Sequence, residues 1–134
     1  MALQFDPLQQ VCEVVMNPNQ GPTVLSKLMQ LIEERRASLP KGSYTTRLLK
    51  GGVDKIGSKI TEEAAEVVEA AGEPGEAGQQ HLVREAADLV YHLLVMLAHR
   101  EVTLDQVEAE LARREGISGL EEKASRKPQQ DETL

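Results

Sequence analysis

Residues 85–98 read Glu85-Ala86-Ala87-Asp88-Leu89-Val90-Tyr91-His92-Leu93-Leu94-Val95-Met96-Leu97-Ala98. At helical pitch this stretch leaves almost no polar face, yet it carries two carboxylates three residues apart. A helix that is apolar nearly all round is buried on most sides. A chain of 134 residues with few helices can hardly cover it alone. The expectation is an antiparallel helical bundle whose central helices pack in a homodimer. The apolar run from Leu89 to Ala98 contains His92 and is too short to cross a bilayer, which takes about 20 residues.

Outward from this stretch the chain reads as helices without strands. The predicted helix runs from about Gln80 to Arg100, and the breaker cluster Gly72-Glu73-Pro74-Gly75 precedes it. Before the cluster, a long helix is predicted from about Val53 to Ala71, with a short helical lead-in from Ser43 to Lys50 that breaks at Gly51-Gly52. A further helix is expected over 23–37, from the spacing of Val24, Leu25, Leu28, Leu31 and Ile32, with Thr23 as its cap and Pro40 beyond it. Thr103 with Gln106 three residues on is a capping box, predicting a last helix that ends near Gly116. Residues 1–22, with Pro7, Pro18, Gly21 and Pro22, read as an arm or loop, with Val11 to Met16 as a turn of helix or a partner contact. Residues 23–126 form the all-α domain, and 127–134 a disordered polar tail.

Composition narrows the function. Aromatic residues are only 2%, namely Phe5, Tyr44 and Tyr91, so the core is aliphatic, filled out by Met16, Met29 and Met96. The net charge of −7 argues against duplex nucleic acid and anionic membranes as partners. A polyphosphate substrate would need a recruited cation. The single Cys12 rules out an internal disulfide framework, and no basic-then-apolar leader is seen, so a cytoplasmic location is expected.

At 100° per residue, the 53–71 helix has an apolar side with Val53, Ile56, Ile60, Ala64, Val67 and Ala71. The opposite side carries Lys55, Lys59, Glu62, Glu63, Glu66 and Glu69, which by itself describes a solvated face. The like-charged pair Glu62 and Glu66 costs a helix roughly 0.2–0.5 kcal/mol. Glu85 and Asp88 share a face among apolar neighbours, where a carboxylate must be paired or bind a metal. If the helical hairpin turns near residues 75–76, Glu66 stands level with Glu85 and Glu63 with Asp88. Lys55, Lys59 and Arg84 supply only part of the charge needed. Hard oxygen ligands of this kind suit Mg2+ or Mn2+, with substrate phosphates completing the shell.

The order Glu62-Glu63-x-x-Glu66, an 18-residue interval, then Glu85-x-x-Asp88 resembles the signature of the all-α, MazG-like nucleoside triphosphate pyrophosphatases. Within that superfamily the chain resembles the phosphoribosyl-ATP pyrophosphatase family over roughly residues 24–126. The residues that carry this are Ser43-Tyr44-Thr45, Leu48, Gly52, Lys55 and Lys59, Glu62-Glu63-Ala64, the run from Glu85 to Val95, and Arg113 through Ser118-Gly119 to Glu121-Glu122-Lys123. Thr61 departs from the family's usual glycine, and the first twenty or so residues have no counterpart in it. The chain is too short to be the fusion with the next enzyme of the pathway.

The resemblance implies Mg2+-dependent hydrolysis of phosphoribosyl-ATP to phosphoribosyl-AMP and pyrophosphate, the second step of histidine biosynthesis. It implies that Glu63, Glu66, Glu85 and Asp88 hold the metal, with Glu62 supporting them or acting as base. Ser43, Tyr44, Arg47, Lys50, Lys55, Lys59 and His92 are the candidate substrate contacts. Lys55 and Lys59 read equally as salt-bridge partners of Glu62 or Glu63, Arg47 and Lys50 as surface charges, Tyr44 as packing, and His92 as a hydrogen-bonded core or interface residue. His81 and His99 read as structural or solvent-facing. Two other readings stand: a house-cleaning nucleoside triphosphate pyrophosphatase, and a non-catalytic helical dimerisation module.

Overall fold

The computed structural model describes residues 23–115. The expected arm, the expected tail, Cys12, Met16 and the family-like end beyond Glu115 lie outside that span. Among the described residues all regular structure is helical: α1 (Val24–Ser38), α2 (Tyr44–Ala71), α3 (Gly75–His99) and α4 (Leu104–Glu115). Of the described residues, 23–102 form one compact unit and 103–115 belong to a second.

In the first unit the caps predicted from sequence set the helix starts. Thr23 Oγ1 accepts from the Ser26 N–H, and Ser43 Oγ from the Thr46 N–H. This satisfies amides that the first turn leaves free. The core is aliphatic: Met29 and Ile32 from α1, Leu48, Leu49, Ile56 and Ala70 from α2, and Leu94, Val95 and Ala98 from α3.

Gly52 gives α2 its shape. Its backbone, at φ 71° and ψ −164°, is outside the helical region and open in practice only to glycine. Contacts with α3 show what the break does. Thr45 meets Tyr91 and Tyr44 meets His92; at the break, Gly52 lies beside His99. After it the contacts descend α3 again, with Gly57 beside Met96 and Glu66 beside Glu85. The Tyr44–Gly51 arm therefore runs alongside α3 in the same direction, and the Val53–Ala71 arm runs antiparallel to it.

Three expectations are corrected. Helix α3 begins at Gly75, not near Gln80, so the breaker cluster reduces to a loop over 72–74 and the turn is tighter than assumed. Gly78 is buried in the first turns of α3, where a Cβ would lie 2.3 Å from the Glu73 carbonyl oxygen. This close approach outweighs glycine's poor helix propensity. Val53 is half exposed instead of buried, since it directly follows the break. Glu63 leaves the solvated stripe: Ile56, Glu63 and Ala70, seven residues apart, are the buried residues of the antiparallel arm.

The apolar surface expected on α3 is present, with Val83 69%, Leu93 46% and Val90 37% exposed. In the second unit, α4 opens with the capping box in full. The Gln106 N–H donates to Thr103 Oγ1 at 3.1 Å, and the Thr103 N–H to Gln106 Oε1 at 2.8 Å. Near its end Glu110 pairs with Arg113 and Arg114, which hold its carboxyl down at about 2.

Candidate active site

The antiparallel arm of α2 and the middle of α3 bring three carboxylates together. Glu63, Glu66 and Glu85 each offer an oxygen within 4.8 Å of the other two. Glu63 is 9% exposed, because its position in the sequence is a core position. Burial first, then Glu85, Asp88 and Glu66, push its carboxyl up to about 7. Glu66 is also raised and Glu85 lowered, each chiefly by the nearness of the other carboxyl. Without a cation Glu63 thus keeps its proton up to near neutrality.

Two of these oxygens decide what the cluster can hold. Glu63 Oε2 and Glu85 Oε2 are buried, and no hydrogen-bond donor reaches either. Buried carboxylate oxygens without partners are costly unless a cation joins them. The donor set is all oxygen, which suits Mg2+ or Mn2+. The residues therefore fit such an ion.

Asp88 stands outside the three. It is exposed, but near enough to raise Glu63. Glu62 is exposed and pairs with Lys59 at 3.4 Å. Lys59 is held above its ordinary value by Glu62 first, with Tyr44 and Glu63 also in electrostatic reach. Lys55 is exposed, its stem close against Gly51, and Arg84 is exposed.

The reversal at Gly52 supplies a second wall. Tyr44 Oη lies 3.0 Å from His92 Nε2, and His92 Nδ1 lies 2.8 Å from the Asp88 carbonyl oxygen. Since that carbonyl only accepts, Nδ1 carries the proton and the Tyr44 hydroxyl donates to Nε2. His92 is buried by this bonding, as the core reading has it. Tyr44 is 40% exposed, stacks on Tyr91 and carries the Arg47 guanidinium 5.8 Å from its ring centre. Ser43 is engaged as a helix cap, and Lys50 is exposed beside the break. Lys59 thus lies within electrostatic reach of both Glu63 and Tyr44, and Arg47 lies against the Tyr44 ring.

Sequence reasoning missed His81 and Glu73. His81 Nε2 lies 3.2 Å from Glu85 Oε1, and Nδ1 lies 2.9 Å from Glu73 Oε2. Both bonds form only if both ring nitrogens carry hydrogen, and the ring's proton affinity is raised accordingly, by Glu73 first. The available signal was the four-residue spacing from His81 to Glu85, one helical turn.

The likeness to known proteins agrees with this geometry. Residues 25–115 match the family described as Phosphoribosyl-ATP pyrophosphohydrolase. The chain belongs to the phosphoribosyl-ATP pyrophosphohydrolase family. It is 57% identical over 107 residues to the phosphoribosyl-ATP pyrophosphatase of Rhodopirellula baltica, covering 80% of this chain and 89% of that one. The phosphoribosyl-ATP pyrophosphatase of Nitrosospira multiformis is 50% identical over 106 residues, 79% of this chain and 85% of the relative. That of Trichlorobacter lovleyi is 50% identical over 113 residues, 84% and 99% of the two chains. The family match spans the carboxylate cluster, the Tyr44 wall and the His81 pair.

Proposed function

We propose that the carboxylate cluster is the Mg2+ site of a phosphoribosyl-ATP diphosphatase that cuts the α–β phosphoanhydride and releases phosphoribosyl-AMP and pyrophosphate. The hydrolase activity follows from the family and places the chain in histidine biosynthesis. The observation that carries the site is the pair of buried, partnerless oxygens on Glu63 and Glu85 within a three-carboxylate group.

Glu63, Glu66 and Glu85 would hold the ion, with Asp88 at the edge of the site. When bound, the ion supplies charge neutralisation for the triphosphate and the leaving pyrophosphate, and an acidified water. Lys59 offers a point charge to phosphate oxygens. Tyr44, with its rigid tie to His92, offers a ring face to a base, and Arg47 beside it a further cation. Glu62 is open to solvent and available as a base. The acidic signature contains no serine or cysteine, and carboxylates engaged with a cation are poor nucleophiles, so this reading takes water as the attacking group.

The active form is a homodimer that covers Val83, Val90 and Leu93. A cytoplasmic location goes with this reading. The test is hydrolysis in oxygen-18 water with phosphoribosyl-ATP competing against ordinary nucleoside triphosphates. Label is expected in the monophosphate product and not in pyrophosphate, with phosphoribosyl-ATP consumed first. Label in pyrophosphate, or orthophosphate as first product, would overturn the choice of bond. Preference for ordinary triphosphates would favour the house-cleaning activity.

A further inference from the structure

The fold treats the two oxygens of Glu85 differently. Oε1 faces His81 Nε2 at 3.2 Å, whereas Oε2 is buried with no hydrogen-bond donor in reach. The imidazole is itself fixed from its far side, where Nδ1 faces Glu73 Oε2 at 2.9 Å. Glu73 belongs to the 72–74 loop, and Gly78 lets that loop lie down on α3: a Cβ there would sit 2.3 Å from the Glu73 carbonyl oxygen. The ring is therefore held at both nitrogens, once from the loop and once along its own helix.

An oxygen that accepts an N–H has one lone pair engaged and its direction fixed, so it is the poorer metal ligand, and the carboxylate offers its other oxygen first. That matters for the choice of ion. Ca2+ takes six to eight oxygens and commonly chelates both oxygens of a carboxylate, whereas Mg2+ requires near-ideal octahedral geometry with one oxygen from each ligand.

Resting on the reading of the cluster as a divalent-cation site, we propose that His81, clamped by Glu73, holds Glu85 as a one-oxygen ligand and so biases the site toward small six-coordinate cations over Ca2+. His81 is a positioning residue, acting through Glu85. Outer partners of this kind typically tune metal affinity by about 10–100-fold. The charge of the ring does not mimic the effect. Mg2+ and Ca2+ are both divalent, so a charge nearby changes both affinities by a similar factor and cancels in their ratio.

The experiment uses the full chain freed of metal. Mn2+ binding is followed by the electron paramagnetic resonance of the free ion, and bound Mn2+ is displaced with Mg2+ or with Ca2+. In His81→Ala the ratio of affinities should move toward Ca2+ by about tenfold. His81→Gln keeps an N–H donor for Oε1 without the charge and should retain the ratio of the unaltered protein. A ratio unchanged in His81→Ala, or moved equally in both variants, would overturn the inference while leaving the metal site intact. Failure of the unaltered chain to bind Mn2+ would overturn the site reading, and the inference with it.

Discussion

Glu63→Gln should make the metal-free protein more stable at alkaline pH, although it removes a residue placed in the active site. Glu63 occupies a core position between Ile56 and Ala70, and its carboxyl is raised from an ordinary 4.5 to about 7, first by burial and then by Glu85, Asp88 and Glu66. An acid whose proton is bound more tightly in the folded chain stabilises the fold below the unfolded value. That stability is lost as pH rises through the folded one. The window is thus about 4.5 to 7. Across it the cost of ionising the site grows to about 3 kcal/mol. Glutamine has no proton to lose and can donate to a neighbouring carboxylate, so it escapes the cost. In urea unfolding with a chelator, the variant should match the unaltered protein near pH 4.5 and exceed it by up to about 3 kcal/mol at pH 8. Added Mg2+ should reverse the order by stabilising only the chain that binds it. A difference that does not change with pH, or a variant less stable at pH 8 under chelation, would refute the reasoning.

Glu63→Gln and Asp88→Asn should each abolish turnover while circular dichroism shows helix content unchanged; full activity in both would remove them from the mechanism. Chelation should stop hydrolysis, and Mg2+ should restore it. Gly52→Ala forces a side chain into backbone angles that favour glycine alone, so thermal unfolding should show a loss of about 1–3 kcal/mol. Light scattering should give at least a dimer at micromolar concentration, because Val83, Val90 and Leu93 on α3 are otherwise open to water; a stable monomer would contradict this.

Much of the fold was legible because it rests on local chemistry. Thr23, Ser43 and the Thr103–Gln106 pair cap helices through side chains within three residues of the amides they satisfy. Gly51-Gly52 was readable as a break, but not as a reversal, since the direction of the next arm is set by contacts such as Thr45 with Tyr91, far apart in sequence. The start of α3 was misplaced because Gly75 and Gly78 look like breakers until the loop that packs on Gly78 is known. In the site, helical periodicity brought Glu66 opposite Glu85. It misassigned Glu63, whose charge suggested the outer face while its seven-residue spacing from Ile56 marked the inner one. His81 reads from sequence as structural or solvent-facing because its second partner, Glu73, lies in a loop that no periodic rule describes.

The reversal at Gly52 also answers a question of length. A straight α2 of 28 residues would extend about 42 Å, and in the register of its antiparallel arm Tyr44 would stand roughly 12 Å beyond His99, away from the Tyr91 and His92 it now meets. Doubling back returns it by about 22 Å to the level of His92. One glycine thereby lets a single stretch of chain supply both the acidic residues and the Tyr44 wall beside them.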